Sequence, residues 1–137
     1  MKAAVIGPLC RDTNIVSGKA SARCGGVTYY AGLTLARLGV ETLVLGSFAS
    51  PDPQWPDEPG VSLVRLNAAG TLEFINEYPE GGEGTRIQHA KAPDNRIRAE
   101  DILDRLPGGL DFIILGPLFH DNLSPEVTAL LADKAPL

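Results

Sequence analysis

Apolar residues bunch at the start of the chain. Residues 2–7 read Lys-Ala-Ala-Val-Ile-Gly, one charge and then a continuous apolar run closed by Pro8. So short a run, without alternation, predicts a buried, central, parallel strand. Residues 41–46 repeat the signature through Leu43, Val44 and Leu45. Between them the period changes. Over residues 27–38, Val27, Ala31, Thr34, Leu35 and Leu38 follow the i, i+4, i+7 spacing of one helical face, and Tyr30 and Leu33 widen the stripe. Arg37 in the last turn suits the negative end of the helix dipole, and Gly39 is the expected stop. Strand, helix and strand, with a tight second turn, predict a right-handed parallel crossover.

The rest of the chain is more broken. Residues 14–17 read as a short extended piece and 18–21 as a polar link. Residues 49–60 hold Pro51, Pro53, Pro56 and Pro59 and form a loop. Residues 61–66 read as a strand. Residues 71–78 alternate, with Leu72, Phe74 and Tyr78 on one face and Thr71, Glu73 and Glu77 on the other. A flexible turn over 80–84 and a return strand over 85–89 make 71–89 an antiparallel hairpin. A short helix over 99–106, a buried strand over 111–115 and a helix over 124–132 follow, the last with Ser124 as N-cap and Pro125 in its first turn. The order predicts one α/β domain over residues 1–137: three layers, a mainly parallel sheet with helices on both faces, and a small antiparallel β hairpin.

Composition narrows the function. The chain has 137 residues and a net charge of −5, with no clustered Lys and Arg, so a nucleic-acid footprint is not expected. Apolar stretches such as 112–115 are too short to span a bilayer. The first strand reaches Gly7-Pro8 too soon for a secretory signal. Cys10 and Cys24 make no disulfide framework, and the cytoplasm is the expected compartment. His89 and His120 lack ligand spacing, so no metal site is expected. No Gly-x-Gly-x-x-Gly follows the first strand, which excludes a dinucleotide fingerprint.

The candidate chemistry lies at Gly25-Gly26. Paired glycines before a helix let backbone approach a ligand, and the free amides of the first turn face it. The block Gly25-Gly26-Val27-Thr28-Tyr29-Tyr30-Ala31, running to Leu35-Ala36-Arg37-Leu38-Gly39, resembles the first signature of the PfkB or ribokinase-like carbohydrate kinases. Val5-Ile6-Gly7 followed by Asp12 is similar to that family's opening strand and its sugar-contacting aspartate. Residues 71–89 resemble part of its β lid, and Ile113-Ile114-Leu115-Gly116-Pro117-Leu118 a later strand. The resemblance covers the whole chain but only the N-terminal half of the family pattern. The family's Gly-Ala-Gly-Asp run, which carries the catalytic base and most of the nucleotide site, does not occur here.

The resemblance implies a small hydroxylated substrate (sugar, polyol or nucleoside), with ATP and Mg²⁺ as donor and metal and the nucleotide site outside this chain. Asp12 would accept hydrogen bonds from hydroxyls, or else be a solvated turn aspartate before Thr13-Asn14, and Gly25 and Gly26 would offer amides and room, or else form a plain turn and helix cap. Asn14 is a further candidate. Tyr29 and Tyr30 would stack on a ring or bond a hydroxyl, or else pack into the core. Arg86 would meet an acidic group, or else pair with Glu73 or Glu77 across the hairpin. Cys24 reads as a small buried thiol or as one activated by the helix start. Two departures stand out. Tyr30 replaces a common asparagine, which argues against a plain ribose- or fructose-type acceptor. Gly46-Ser47-Phe48-Ala49-Ser50-Pro51-Asp52 does not match the family's Gly-x-Asp-x-x-Gly run, which makes Asp52 a loop residue. The half pattern predicts no kinase activity for the chain alone and a homo-oligomer that covers open sheet edges. The competing expectation is a non-enzymatic protein that binds a small ligand or only assembles.

Overall fold

Strand pairing divides the chain into two sheets. The computed structural model describes residues 1–51, 53–81, 84–132 and 134; Asp52 and the Gly82-Glu83 pair of the expected turn lie outside them. In chain order the elements are β1 (Lys2–Pro8), β2 (Cys10–Val16), β3 (Lys19–Gly25), α1 (Val27–Arg37), β4 (Glu41–Ser47), β5 (Val61–Leu66), β6 (Leu72–Tyr78), β7 (Ile87–Lys91), α2 (Ala99–Ile102), a 3₁₀ turn (Leu103–Arg105), β8 (Phe112–Leu115) and α3 (Pro125–Ala132).

The apolar runs form a parallel sheet in the order β5-β4-β1-β8, with Val5 registered against Val44 and Ile114. Successive residues point to opposite faces. Ile6, Leu45 and Leu66 face one side and join Ile97, Ile102, Val127 and Leu131 in the main core, under α2 and α3. The other side receives α1. Leu9, Cys24 and Phe48 form a second cluster there, with Tyr29 and Trp55 against it. Helices therefore lie on both faces of the parallel sheet, as its continuous apolar strands require.

Helix α1 does not bury the face its periodicity predicts. Thr28, Gly32 and Leu33 are buried, whereas Val27, Tyr30 and Leu38 are exposed, Leu38 at 74%. Small residues decide this. A Cβ at Gly32 would stand 2.6 Å from Val44 Cγ2, so the helix axis comes close to the sheet along its Thr28–Gly32 side. The bulky stripe is left outward.

The expected antiparallel hairpin is present as β6 and β7, and it forms half of a second four-stranded sheet, order β3-β2-β6-β7. Residues 18–21 are not a link, and 14–17 are not a short piece. They belong to two seven-residue strands joined at Ser17-Gly18, with φ of 47° and 72°. Positive φ at both central residues is the geometry that matches hairpin twist. These strands carry little apolar alternation because much of β3 is exposed, so the sequence gives them a loop's profile. β2 also pairs parallel with β6, and β6 antiparallel with β7, which begins two residues later than expected. The helix expected over 99–106 is one turn of α-helix and a 3₁₀ turn. The strand β8 is half-buried rather than buried, because it stands at a sheet edge.

Candidate functional site

The end of β1 turns directly into β2, and this brings the two sheets together at one corner. Asp12 lies mid-strand in β2, registered against Arg23 on β3 and Phe74 on β6. Gly25 closes β3. A Cβ on Gly25 would overlap the Asp12 carboxylate, so only glycine leaves that carboxylate its place. Gly26 caps α1 with φ 96°, a conformation that favours glycine, and no side chain caps the helix start. A Cβ there would stand 3.3 Å from the Pro8 carbonyl oxygen and 3.5 Å from Cys10 Sγ.

Asp12, Asn76 and Arg86 line two adjoining compartments of one cleft. The wider, about 540 Å³, adds Asn14, Val16, Arg23, Tyr30 and Tyr78. The narrower, about 260 Å³, adds Cys10, Gly26, Phe74, Gln88 and Leu118. Asn122 Oδ1 accepts from the amides of Leu118 (2.9 Å) and Phe119 (2.7 Å), which fixes the loop after β8. Phe119 stacks on Phe74 with ring centroids 5.9 Å apart. That contact ties the mixed sheet to the loop after β8.

Cys10 Sγ donates to Asp12 Oδ1 at 3.2 Å. Burial pushes the Cys10 thiol far above its ordinary range, and the Asp12 carboxylate adds to the shift. The thiol is therefore a neutral donor, not a nucleophile. Asn76 is 5% exposed and bonds sideways, its side-chain amide 2.7 Å from that of Gln88 and 3.1 Å from that of Asn14.

Five of the seven residues singled out from sequence line this cleft: Asp12, Asn14, Gly26, Tyr30 and Arg86. Gly25 backs Asp12. Tyr29 instead turns to the second core cluster, edge-on to Tyr30 (5.1 Å) and Trp55 (5.4 Å), where burial raises its phenol pKa. Glu73 pairs with Arg11 at 3.7 Å. Cys24 is buried. Sequence reasoning missed Arg23, Asn76 and Gln88. Asn76 was detectable as a polar residue in phase with Leu72, Phe74 and Tyr78; Arg23 had no signal until β3 was known to be a strand. Among the described residues, no group of three His, Cys, Asp or Glu could hold a metal ion, and no helix is long and apolar enough to cross a membrane.

No protein-family model matches the chain, and comparison with curated proteins finds no match. Solved structures do match. A pyrophosphate-dependent kinase in the ribokinase family, as a sulfate complex, superposes with a TM-score of 0.77 and 23% identity, over 98% of this chain and 48% of that one. A pyrophosphate-dependent kinase in the same family, complexed with a pyrophosphate analog and myo-inositol, gives 0.76 and 23%, over 97% and 46%. Ribokinase from Giardia lamblia gives 0.64 and 14%, over 96% and 48%. The fold of this chain is the ribokinase-like fold. The chain spans about half the length of the structures it matches.

Proposed function

We propose that this chain forms the acceptor-binding half of a kinase that phosphorylates a hydroxyl of a small polyol, sugar or nucleoside. The observation that carries the reading is the single cleft in which Asp12, Gly26, Asn76 and Arg86 meet between the start of α1 and the mixed sheet. The Asp12 carboxylate accepts hydrogen bonds from substrate hydroxyls, and such charge-assisted bonds are the stronger kind. The glycine pair admits the substrate to backbone distance. Tyr30 and Arg86 border the space the substrate fills. The mixed sheet shields the reacting hydroxyl from water.

The family resemblance supplies ATP and Mg²⁺ as donor and metal, while two of the matched kinases are described with pyrophosphate. The chain's own residues do not fit either role. The described ones include no acidic cluster for a divalent ion, and the sequence has no Gly-Ala-Gly-Asp run. No step of the transfer is assigned to this chain, and by itself it is inactive as a kinase. The same reading makes it a cytoplasmic protein and a homo-oligomer.

The test is titration of the 137-residue protein with myo-inositol, ribose, fructose and adenosine, followed by calorimetry and amide NMR. The expected result is saturable binding of at least one, with shifts at Asp12, Gly26 and Asn76. Asp12→Ala should weaken it about 10- to 100-fold, the worth of a charged hydrogen bond. Heat from none of the four, or binding indifferent to Asp12→Ala, overturns the reading.

A further inference from the structure

Three side-chain amides cross the cleft in a row, and a cation gives that row a direction. Asn14 registers with Asn76, and Asn76 with Gln88, on the adjacent strands β2, β6 and β7. Their amides approach within 3.1 Å and 2.7 Å. Arg23 on β3 closes the far end. Its Nη2 and Nε lie 3.1 Å and 3.3 Å from one amide atom of Asn14.

A guanidinium only donates. If Asn14 turned its nitrogen to Arg23, donor would face donor, so the atom there is Asn14 Oδ1. Asn14 Nδ2 then faces Asn76, which must answer with Oδ1. Asn76 Nδ2 in turn faces Gln88, which must answer with Oε1. Each amide has one accepting and one donating end, so a choice made at Arg23 passes along the whole row. The reverse direction satisfies both amide contacts equally well but leaves the clash at Arg23. The middle of the row is nearly out of water, where a mismatched polar contact is costly.

We propose that this direction makes Gln88 a specificity-determining residue: its NH₂ group is the donor offered to the acceptor, in the compartment it shares with Asp12. The inference rests on reading the cleft as an acceptor site and names the class of acceptor. Asp12 accepts a hydrogen bond from one hydroxyl, while Gln88 donates one to the oxygen of a neighbouring hydroxyl. The ligand carries vicinal hydroxyls, one of them read as a hydrogen-bond acceptor.

Two measurements on the full chain separate this claim from the one beneath it. In the free protein, scalar couplings across hydrogen bonds report direction. Couplings from Asn14 Nδ2 to the Asn76 side-chain carbonyl, and from Asn76 Nδ2 to that of Gln88, are expected. In Arg23→Met, couplings of both directions should appear at reduced size. Couplings from Gln88 Nε2 to Asn76 in the native protein overturn the row, whatever binds. The second measurement compares myo-inositol with its monodeoxy and monodeoxyfluoro derivatives by calorimetry. Fluorine accepts weakly and cannot donate. At one ring position fluorine should leave affinity within about threefold while hydrogen costs about tenfold, and Gln88→Leu should erase that contrast. Equal losses for fluorine and hydrogen at every position, or a contrast that survives Gln88→Leu, overturn the role of Gln88. Failure of every polyol to bind overturns the acceptor reading and the role of Gln88 with it.

Discussion

Asp12 and Cys10 stand two residues apart and hydrogen-bond to each other, and that pairing has a measurable cost at high pH. Burial first, and then the Asp12 charge, raise the Cys10 pKa above its ordinary 9.0. In the folded protein the thiol keeps its proton at a pH where the unfolded chain loses it. The unfolded state then binds fewer protons, so stability falls as pH rises above about 9, by at most about 1.4 kcal/mol per pH unit from this group. Below that pH the contribution is fully present. Urea unfolding at pH 8, 9 and 10 should show a shallower decline for Cys10→Ala than for the native chain; identical slopes would refute the assignment. At this scale the legible residues were those whose type already restricts their chemistry. Gly26 was visible because a helix start after paired glycines implies a special backbone, and Asp12 only through the resemblance to a family whose opening strand is followed by a sugar-contacting aspartate. Gln88 was not, since an amide gains meaning only from what faces it, and Asn76 showed itself only as a polar residue in phase with an apolar face.

Helix α1 shows how an element can be recognised and still be turned the wrong way. Its extent was legible from periodicity and the glycine stop. Its orientation was not, because apolar bulk and depth of burial part company when small residues control the approach. Gly32 is the test. Alanine there gains about 1 kcal/mol of helix propensity. Its Cβ would also stand 2.6 Å from Val44 Cγ2, a branch beside the backbone that has little room to swing away. Overpacking of that kind costs about 1–3 kcal/mol. The second effect is the larger, so Gly32→Ala should lower stability by about 1 kcal/mol in denaturant melts. A more stable variant would show that helix and sheet are not in contact along that line. The mixed sheet was half legible for a related reason. β6 alternates and announces itself. β2 and β3 carry mostly polar side chains, and their pairing is written in a two-residue turn rather than in a hydrophobic pattern.

That the apolar strands pair in parallel could be read from the chain, but their order and the surfaces they leave open appear only in the assembled molecule. β8 pairs with β1 on one side and with no strand on its other side among the described residues. Beside it, Val27, Ala31 and Leu35 of α1 and Ile114 of β8 line an apolar concavity of about 650 Å³. The matched structures are about twice as long as this chain. A bare apolar face beside an open strand edge favours association. The expected outcome is a homo-oligomer by sedimentation and light scattering at about 0.1–1 mM, and Leu35→Lys should shift it toward monomer with unchanged circular dichroism. Salt separates this contact from a charged one. Each copy carries a net charge of −5, so like copies repel, and screening removes that repulsion while leaving apolar burial intact. Association through α1 and β8 should therefore strengthen between about 0.05 and 0.5 M NaCl, whereas a contact built on ion pairs would weaken. A species that stays monomeric across that range would mean that this face does not drive self-association.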